Sequence, residues 1–571
     1  MPDQFNDSHV QSEVSRTDRI SLSQKSAYAA GMLVNNLQAA AIPAMMVVLN
    51  LGLGLSPILA GIIGFLPRIF DAVSDPMMGY ISDHTRTRWG RRRPYILVGA
   101  LISGFVFAGM WQIPTGWPID VARDSDGDGV ADTMEIDAGF DPLDANNPVV
   151  NGSADTYDET GPADKISDAL EFTLISAGQP GPITEQTDSD SNGIPDYDQS
   201  RQSYFFWAFL IALIIYFLCY TVYATPFVAL GYELTPDYHE RTRLHAFANA
   251  FGQVAWIGAP WIWAIMASYE DKVDGASQLG IVFGAIILIL GVVPAIFCRE
   301  QMTNVASVQD QPAASGVFKN LADFFSNLVT ALKCRPFARL CAATFLVFNG
   351  YQLGISFSLY VMIYYLFGGN DSLAGELNGW WGSLTAVCTI VVIPLTAWIS
   401  QRLGKRKTFR VAITLSMVGY AIKWVGYSPG MPYLLLISCP FVAFGTGSLF
   451  TLMGSMISDV CDYDELESHQ RREGVFGAIY WWMVKVGLAL AGLAGGFLLV
   501  GSGFITPTPG DTEPVVQSAS TLFYLRMFDV VIPIITSAAA IVIMWPYEIT
   551  ESRANEIREE LEQRRTKVSL S

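Results

Sequence analysis

The chain alternates long apolar stretches with shorter polar segments. A helix needs about 20 mostly apolar residues to cross the hydrocarbon core of a bilayer, and the sequence contains twelve stretches of this kind. The pattern therefore predicts an all-α membrane protein with twelve transmembrane helices. We expect these helices at residues 27–51, 56–81, 94–113, 204–230, 246–268, 279–298, 338–367, 376–399, 411–427, 432–458, 474–500 and 522–546.

The polar segments between these helices define the predicted regions of the chain. Hydrophobic residues make up 51% of the sequence and charged residues 15%, a composition typical of membrane proteins. We predict a cytoplasmic N-terminal tail (1–26), an N-terminal six-helix bundle (27–113 and 204–298), an acidic, loop-rich extracytoplasmic insert (114–203), a cytoplasmic connector (299–337), a C-terminal six-helix bundle (338–546) and a cytoplasmic tail (547–571).

The basic residues indicate how the chain is oriented. With both termini in the cytoplasm, the cytoplasmic segments hold 27 of the 35 Lys and Arg residues and the outer loops hold four, which agrees with the positive-inside rule. The other four lie inside predicted spans. Two of them, Lys423 and Arg526, lie close enough to the outer ends for their side chains to reach the membrane surface. We expect a multi-pass protein of the inner (cytoplasmic) membrane, with the insert on the periplasmic or extracellular side.

The formal net charge of −18 is concentrated in the insert. Residues 114–203 contain 20 Asp or Glu and three basic residues, a net of −17, so the rest of the chain carries only −1. A near-neutral membrane protein with one acidic insert gives no support to nucleic-acid binding.

Two pairs of loops repeat between the halves of the chain. Gly90–Arg93 reads GRRR and Gly404–Lys407 reads GKRK, 314 residues later, while the acidic loops that begin at Asp237 and Asp462 are 225 residues apart. The two offsets differ by 89, almost the length of the 90-residue insert. Without the insert, helices 1–6 and 7–12 would come into register, unless the short loops are alike by chance. Parallel repeats of this kind build transporters whose substrate site lies between the halves.

Helix 2 carries three ionisable side chains at membrane depth. Arg68, Asp71 and Asp75 are spaced i, i+3 and i+7 and share one helical face. Such groups are costly in a membrane and are usually functional. Two carboxylates four residues apart would bind a small cation such as Na⁺ or share one proton, while Arg68 keeps a carboxylate ionised. The alternative is an intrahelical Arg–Asp ion pair without further function.

Two other polar residues lie at the depth of Asp71. Asn36 in helix 1 and Lys485 in helix 11 are each about eleven residues from the cytoplasmic end, and a helix rises about 1.5 Å per residue. Trp481 precedes Lys485 by about one turn on the same face. An aromatic ring beside a hydrogen-bond donor suits a sugar, although membrane tryptophans more often lie at the lipid–water interface.

Four segments together resemble one transporter family. They are RIFDAVSDPMMGYISDHTRTRWGRRRP (68–94), TPFVALGYELTPDYHERTR (225–243), SDVCDYDE (458–465) and MVKVG (483–487). As a set they resemble the glycoside–pentoside–hexuronide:cation symporters, the melibiose-permease-like branch of the major facilitator superfamily. The resemblance covers nearly the whole chain apart from the insert and the tails, and it implies the major facilitator fold with its two six-helix bundles.

The resemblance, together with the depths and helix faces described above, predicts three groups of functional residues. A cation site would contain Asp71, Asp75, Asn36 and Thr221. A sugar site would contain Arg68, Lys485, Trp481, Asn36, Tyr28 and Trp256. A cytoplasmic gate would exchange salt bridges among Asp459, Asp462, Glu465, Arg241, Arg243, Arg471, Asp83 and Arg91.

The chain departs from the melibiose-type members at three positions. It has Asn36 and Ala224 where they carry aspartates, and Val228 where they carry a tryptophan. These groups hold galactosides in that family, so the resemblance does not extend to a melibiose-like specificity. Lysolipid carriers share this branch of the fold, and they provide an alternative substrate class.

The insert contains a sequence typical of calcium-binding loops. DSDGDGVADTME, from Asp124 to Glu135, satisfies the pattern D-x-[DN]-x-[DN]-G-x₅-E, and a second copy from Asp188 ends in Gln199 instead of Glu. Both resemble the aspartate repeats of thrombospondin type 3 modules. We expect structural Ca²⁺, with a solvated acidic linker as the alternative. The expected ligands are Asp124, Asp126, Asp128, Val130, Asp132, Glu135, Asp188, Asp190, Asn192 and Asp196.

The sequence thus favours a secondary active transporter. We expect symport of a sugar or glycoside, with uronides among the candidates, coupled to Na⁺ or H⁺ by alternating access. A calcium-dependent surface receptor with a membrane anchor is the alternative from another class, but an anchor does not need ionisable residues at membrane depth. No enzyme motif is present in the sequence. The expected partners are a sugar and the lipid bilayer, and the protein is expected to be a monomer.

Overall fold

A computed structural model describes residues 20–85, 87–112, 196–235, 238–300, 317–468, 473–507 and 515–570. Every regular element within these ranges is helical, and none is a strand. The first half contains α1 (Leu22–Leu51), α2 (Pro57–His84), α3 (Arg93–Met110), α4 (Asp196–Glu233), α5 (Tyr238–Gly258) and α6 (Lys272–Phe297). The second half contains α7 (Val317–Lys333), α8 (Arg335–Leu366), α9 (Asp371–Leu403), α10 (Lys405–Gly426), α11 (Pro432–Ser468), α12 (Glu473–Gly501), α13 (Ala519–Met544) and α14 (Glu551–Leu570).

Each of the twelve predicted stretches overlaps a helix, but only ten of the described helices are both long and apolar enough to cross a membrane. The other two are α5 and α10. A short 3₁₀ turn, Ala259–Trp261, interrupts the apolar course after α5, and α10 begins with the basic sequence KRKTFR. The all-α prediction is confirmed, whereas transmembrane positions for α5 and α10 stay a prediction.

Two helices lie outside the predicted spans. The amphipathic α7 occupies the predicted connector, and it buries Leu328 and Ala331 in the C-terminal core while Val329 stays exposed. The polar α14 forms within the predicted C-terminal tail and packs against α11. The sequence analysis did not predict α14, because its periodic apolar positions are few. Residues 196–203 of the predicted insert belong instead to the start of α4.

The two halves pack together at the ends opposite the basic loops. A Cβ on Gly496 of α12 would collide with the carbonyl of Pro57 in α2, so only glycine allows this approach. On the same side, Trp261 donates a hydrogen bond from its indole to Ser383 Oγ of α9 over 2.8 Å. Tyr360 of α8 donates to Asn50 Oδ1 over 3.1 Å. These contacts close the predicted outer end of the molecule.

Candidate functional site

A lysine of one half contacts both carboxylates of the other half. Lys485 Nζ on α12 donates to Asp71 Oδ2 of α2 over 2.8 Å, and it also donates to Asp75 Oδ2. Asp71 is buried, whereas Lys485 and Asp75 keep 30% and 29% of their side-chain surface exposed. The three charges therefore lie at the interface between the bundles, and two of them are partly exposed.

Hydroxyl groups complete the surroundings of the acidic pair. Thr221 Oγ1 on α4 donates to Asp71 Oδ1 over 2.8 Å, and Thr225, one turn later, donates to Asp75 Oδ1 over 3.0 Å. Ser74 Oγ lies 3.1 Å from Thr221 Oγ1. Thr221 is a predicted cation-site residue, but Thr225 and Ser74 were missed. Their positions gave a usable signal, since each follows a predicted site residue by three or four positions on the same helix face.

The site thus combines four carboxylate oxygens and three hydroxyls around one ammonium group. Two carboxylates and one lysine carry a net charge of −1, so the cluster can accept one more positive charge. Carboxylate and hydroxyl oxygens are hard ligands that suit Na⁺, and a proton on a carboxylate would neutralise the site equally well. Among the described residues, no three His, Cys, Asp or Glu side chains lie close enough to form a multidentate metal site.

Arg68 does not form the intrahelical ion pair that was the alternative interpretation of helix 2. Its guanidinium carbon lies 5.6 Å from the centroid of the Phe217 ring, and it makes no ion pair with Asp71 or Asp75. The basic partner of Asp71 and Asp75 is Lys485 instead. Arg68 is half-buried one turn from the acidic pair, and its charge remains available to an anionic group.

The remaining predicted substrate residues make no described hydrogen bond with the charge cluster. Tyr28 is fully buried, with its ring stacked on Phe227 at a centroid distance of 4.7 Å. Asn36 packs against Gly252 of α5 and makes no hydrogen bond with the acidic pair. Trp256 and Trp481 are exposed. The structure therefore joins Asp71, Asp75, Thr221 and Lys485 by hydrogen bonds, and a sugar-binding role for the other four residues stays a prediction.

The predicted gate residues of the C-terminal half bind partners within that half. Asp459 on α11 accepts hydrogen bonds from Lys405 over 2.6 Å and from Arg558 of α14 over 2.9 Å. Asp462 lies 3.6 Å from Arg558. Glu465 lies on α11, and Arg471 lies outside the described residues.

Predicted gate residues of the N-terminal half also bind partners within their own half. Asp83 accepts a hydrogen bond from Arg92 over 2.8 Å, and Arg91 pairs with Glu233. Arg243 lies 3.1 Å from Glu240. The side chain of Arg241 lies outside the described part. Between described gate residues, no ion pair crosses from one bundle to the other.

Glu240 also has an ion-pair partner within the N-terminal half. Its carboxylate lies 2.8 Å from Lys25 Nζ at the start of α1. The hydrogen bond from Lys25 lowers the pKa of the Glu240 carboxyl below its usual range.

The predicted calcium ligands cannot be placed. Asp124 through Asn192 lie outside the described residues, and Asp196 is the first residue of α4. Calcium binding by the insert stays a prediction.

A second lysine–carboxylate contact was missed by the sequence analysis. Lys423 Nζ on α10 donates to Asp529 Oδ1 on α13 over 2.6 Å, and Ser358 of α8 donates to the same oxygen over 2.8 Å. Tyr427 donates to the other carboxylate oxygen. Asp529 is a lone acid in an apolar span, and this isolation was the available signal.

The prediction that Lys423 and Arg526 reach the membrane surface is wrong for Lys423. Lys423 keeps 1% of its side-chain surface exposed because Asp529 holds it inside the bundle. The Arg526 guanidinium lies between the rings of Tyr365 and Trp424, at 4.2 and 4.4 Å from their centroids. The ion pair with Asp529 is therefore stronger than the tendency of a lysine to reach the lipid–water interface. Separating the two ions inside the protein would be costly.

Comparisons with known proteins agree with this architecture. The sequence model of the family described as MFS/sugar transport protein matches residues 27–118 and 195–551. An uncharacterized symporter of Synechocystis sp. is 23% identical, over 90% of this chain and 91% of its own. A glucuronide carrier protein homolog of Escherichia coli is also 23% identical, over 90% and 89%.

Solved structures show the same fold at lower identity. The crystal structure of a D-xylose–proton symporter superposes with a TM-score of 0.54 at 12% identity, covering 92% of this chain and 98% of that one. The match of the family model over most of the chain establishes the family. The helices, the charged interface between two bundles and these matches lead to one conclusion: the chain belongs to the MFS/sugar transport protein family of the major facilitator superfamily.

Proposed function

We propose that this transporter is a cation-coupled sugar symporter, in which Na⁺ or H⁺ and the ammonium group of Lys485 compete for Asp71 and Asp75. The observation that carries the proposal is the contact of Lys485 with both carboxylates across the bundle interface. A charge contact between the two moving halves links ion occupancy to their relative position.

The competition follows from charge. A cation that binds between Asp71 and Asp75 repels Lys485 at close range, because like charges a few ångströms apart interact by about 4 kcal/mol at an effective dielectric of 20. Lys485 would leave the carboxylates and turn toward the space between the bundles. There it could donate hydrogen bonds to a sugar, so cation binding would create the sugar site.

Arg68 indicates which sugars would bind with higher affinity. It is half-buried, it precedes the acidic pair on the same helix face, and no carboxylate of the described residues pairs with it. A planar guanidinium pairs well with a carboxylate through two parallel hydrogen bonds. We infer that sugars with an acidic group, such as uronides, bind better than their neutral analogues. The similarity to a glucuronide carrier homolog supports this substrate class.

The conformation fits one stage of alternating access. The bundles touch at the predicted outer end, for example where Lys272 and Asp371 lie 2.5 Å apart. At the basic end, Asp83 pairs with Arg92 and Asp459 pairs with Lys405, each within its own half. We propose that this arrangement is an inward-facing state. In the outward-facing state, we propose that Asp459, Asp462 and Glu465 find partners across the gap.

The remaining expectations belong to the same proposal. Both termini would be cytoplasmic in the inner membrane, and the insert would lie at the outer mouth. Calcium would stiffen the insert, and the repeat at Asp124 supports this expectation through its ligand spacing alone.

Uptake into proteoliposomes tests the coupling. The purified protein should accumulate a labelled glucuronide only with an inward Na⁺ or H⁺ gradient, and the neutral glucoside more weakly. Asp71→Asn and Asp75→Asn should abolish accumulation above equilibrium while the protein remains folded. Asp274→Asn, an exposed acid at the start of α6, is the matched control and should accumulate normally. Full accumulation by either site variant would refute the proposed coupling.

A further inference from the structure

A cavity of about 760 Å³ lies on the side of the C-terminal bundle that carries the GKRK loop. It is bordered by the end of α9, the start of α10, the middle of α11 and the first half of α14. Two acidic side chains, Asp459 and Glu551, line it. Its basic lining residues are Lys405, Arg406, Lys407, Arg410 and Arg558.

The positive charges of this cavity are only partly balanced. Asp459 is shared by Lys405 and Arg558. Arg406, Lys407 and Arg410 have no ion pair with any described residue. Three cations that converge on one cavity repel each other unless an anion joins them.

The two arginines also have donor groups without acceptors. Arg406 donates one guanidinium hydrogen bond to the carbonyl of Trp545, and Arg410 lies over the Trp545 ring at 4.9 Å from its centroid. The Nε of each is buried and makes no hydrogen bond within the described structure. Buried donors normally find a partner, so each such group calls for an explanation. An anion beside the two guanidinium groups would balance their charge, while the Nε atoms themselves stay buried.

The backbone adds to the same site. Helix α10 begins directly after Gly404, and no side chain caps its first turn. Gly404 has a φ of 74°, a left-handed conformation that favours glycine. The first N–H groups of a helix lack internal partners and attract negative charge. Residues 404–407 all border the cavity, so these groups lie at its wall.

The repeated loop in the other half shows what an anion does at this position. There, the Glu300 carboxylate accepts hydrogen bonds from the N–H groups of Arg91, Arg92 and Arg93 over 2.8, 2.8 and 3.0 Å. The chain thus supplies its own anion to the GRRR loop. At the GKRK loop, Glu551 approaches Gly404 but accepts no hydrogen bond from the first turn of α10.

We propose that this cavity binds a phosphate-bearing anion at the predicted cytoplasmic face. Arginine pairs with phosphate through two hydrogen bonds, and helix N-termini bind phosphate through backbone N–H groups. The cavity is larger than a phosphate ion alone, so it has room for a ligand that carries further groups. Two sources share this chemistry: the headgroup of an anionic phospholipid, which basic segments beside membrane helices attract, and a soluble phosphate compound.

The first arm of the test uses inorganic phosphate with the purified full-length protein in detergent. Phosphate should raise the Tm in a concentration-dependent manner, compared with chloride at equal ionic strength. Lys407→Gln should weaken the apparent phosphate affinity about ten-fold, as expected for one charge-assisted hydrogen bond. Arg402→Gln is the matched control, since Arg402 stacks on Trp398 and does not line the cavity.

The second arm distinguishes the sources. The protein is placed in nanodiscs of phosphatidylcholine with or without phosphatidylglycerol, and retained lipids are counted by native mass spectrometry. Selective retention of phosphatidylglycerol, reduced by Lys407→Gln, supports the lipid headgroup. Phosphate stabilisation without such retention supports a soluble ligand. The proposal is overturned if neither probe binds in preference to its control, or if Lys407→Gln and Arg402→Gln behave alike.

Discussion

The molecule contains two lysine–carboxylate contacts with the same chemistry and opposite surroundings. Lys485 reaches Asp71 and Asp75 across the interface between the bundles and keeps 30% of its side chain exposed. Lys423 and Asp529 lie within the C-terminal bundle, at 1% and 0% exposure. Accessibility therefore separates the two contacts more clearly than their geometry, since both have distances of hydrogen-bonded ion pairs.

This difference suggests different roles. The exposed contact joins the two bundles, and part of the Lys485 side chain is accessible to solvent. The buried contact joins α8, α10 and α13 of one bundle, and its charges cannot separate without a large desolvation cost. We infer that the first responds to ions, while the second keeps the bundle rigid.

The largest expected effect is a loss of stability when the buried contact is broken. Asp529→Leu would leave the Lys423 ammonium buried without its carboxylate, and removing one partner of a buried pair costs about 3–5 kcal/mol. The free energy of unfolding, measured by denaturant titration in micelles with tryptophan fluorescence, should fall by that amount. Asp75→Asn, at the exposed contact, is the control and should change it by less. Equal losses of unfolding free energy in both variants would contradict the different roles of the two contacts.

The second prediction concerns ion affinity at the exposed contact. Lys485→Met removes the competing ammonium, so binding of the coupling cation should tighten by at least about ten-fold, equivalent to about 1.4 kcal/mol. Sugar accumulation should nevertheless be lost, because the donor to the sugar is gone. Isothermal titration with Na⁺, or proton release measured on binding, checks the first part. Unchanged or weaker cation binding would contradict the competition.

A smaller effect is expected from the hydroxyl groups. Thr221→Val removes the hydrogen bond to Asp71 Oδ1 at nearly constant volume, and such a bond contributes about 0.5–1.5 kcal/mol. Cation affinity should change by about two- to ten-fold. Ser358→Ala removes the corresponding donor to Asp529. This change should lower the stability and leave the half-saturating cation concentration unaltered. A shift of that concentration in Ser358→Ala would show that the two contacts are coupled.

The smallest change is expected when both charges of the buried contact are removed together. Replacing a buried ion pair with apolar residues of similar volume is often neutral or stabilising. The double variant Lys423→Met, Asp529→Leu should therefore recover most of the stability lost in Asp529→Leu, and transport should continue. A double variant that folds normally but has no transport would assign this contact a role in the transport cycle.

Part of the candidate site could be predicted from local sequence. The spacing of Asp71 and Asp75 places both carboxylates on one face of α2, and counting residues from the membrane surface puts Lys485 at the same depth. The role of Arg68 could not be predicted in this way. Sequence proximity offered an Arg68–Asp71 pair as the alternative interpretation, but Lys485, 414 positions away, is the residue that contacts Asp71.

The features that were missed depend on contacts between distant segments. Asp529 and Lys423 are 106 residues apart, and nothing in either local sequence indicates that they meet. The same holds for Glu300 and the Arg91–Arg93 loop, which are more than 200 residues apart. Because such pairs form only when helices pack side by side, a periodic pattern within one helix does not contain them.

The sequence alone determined the helical class and the position of most membrane-length helices, because apolar length and the fixed rise per residue are local quantities. Only the tertiary structure decided which lysine meets which carboxylate and whether water reaches the pair. The physical reason is that both depend on how the two bundles pack. A shift of a few ångströms between helices leaves every local pattern unchanged, yet it makes or breaks an ion pair.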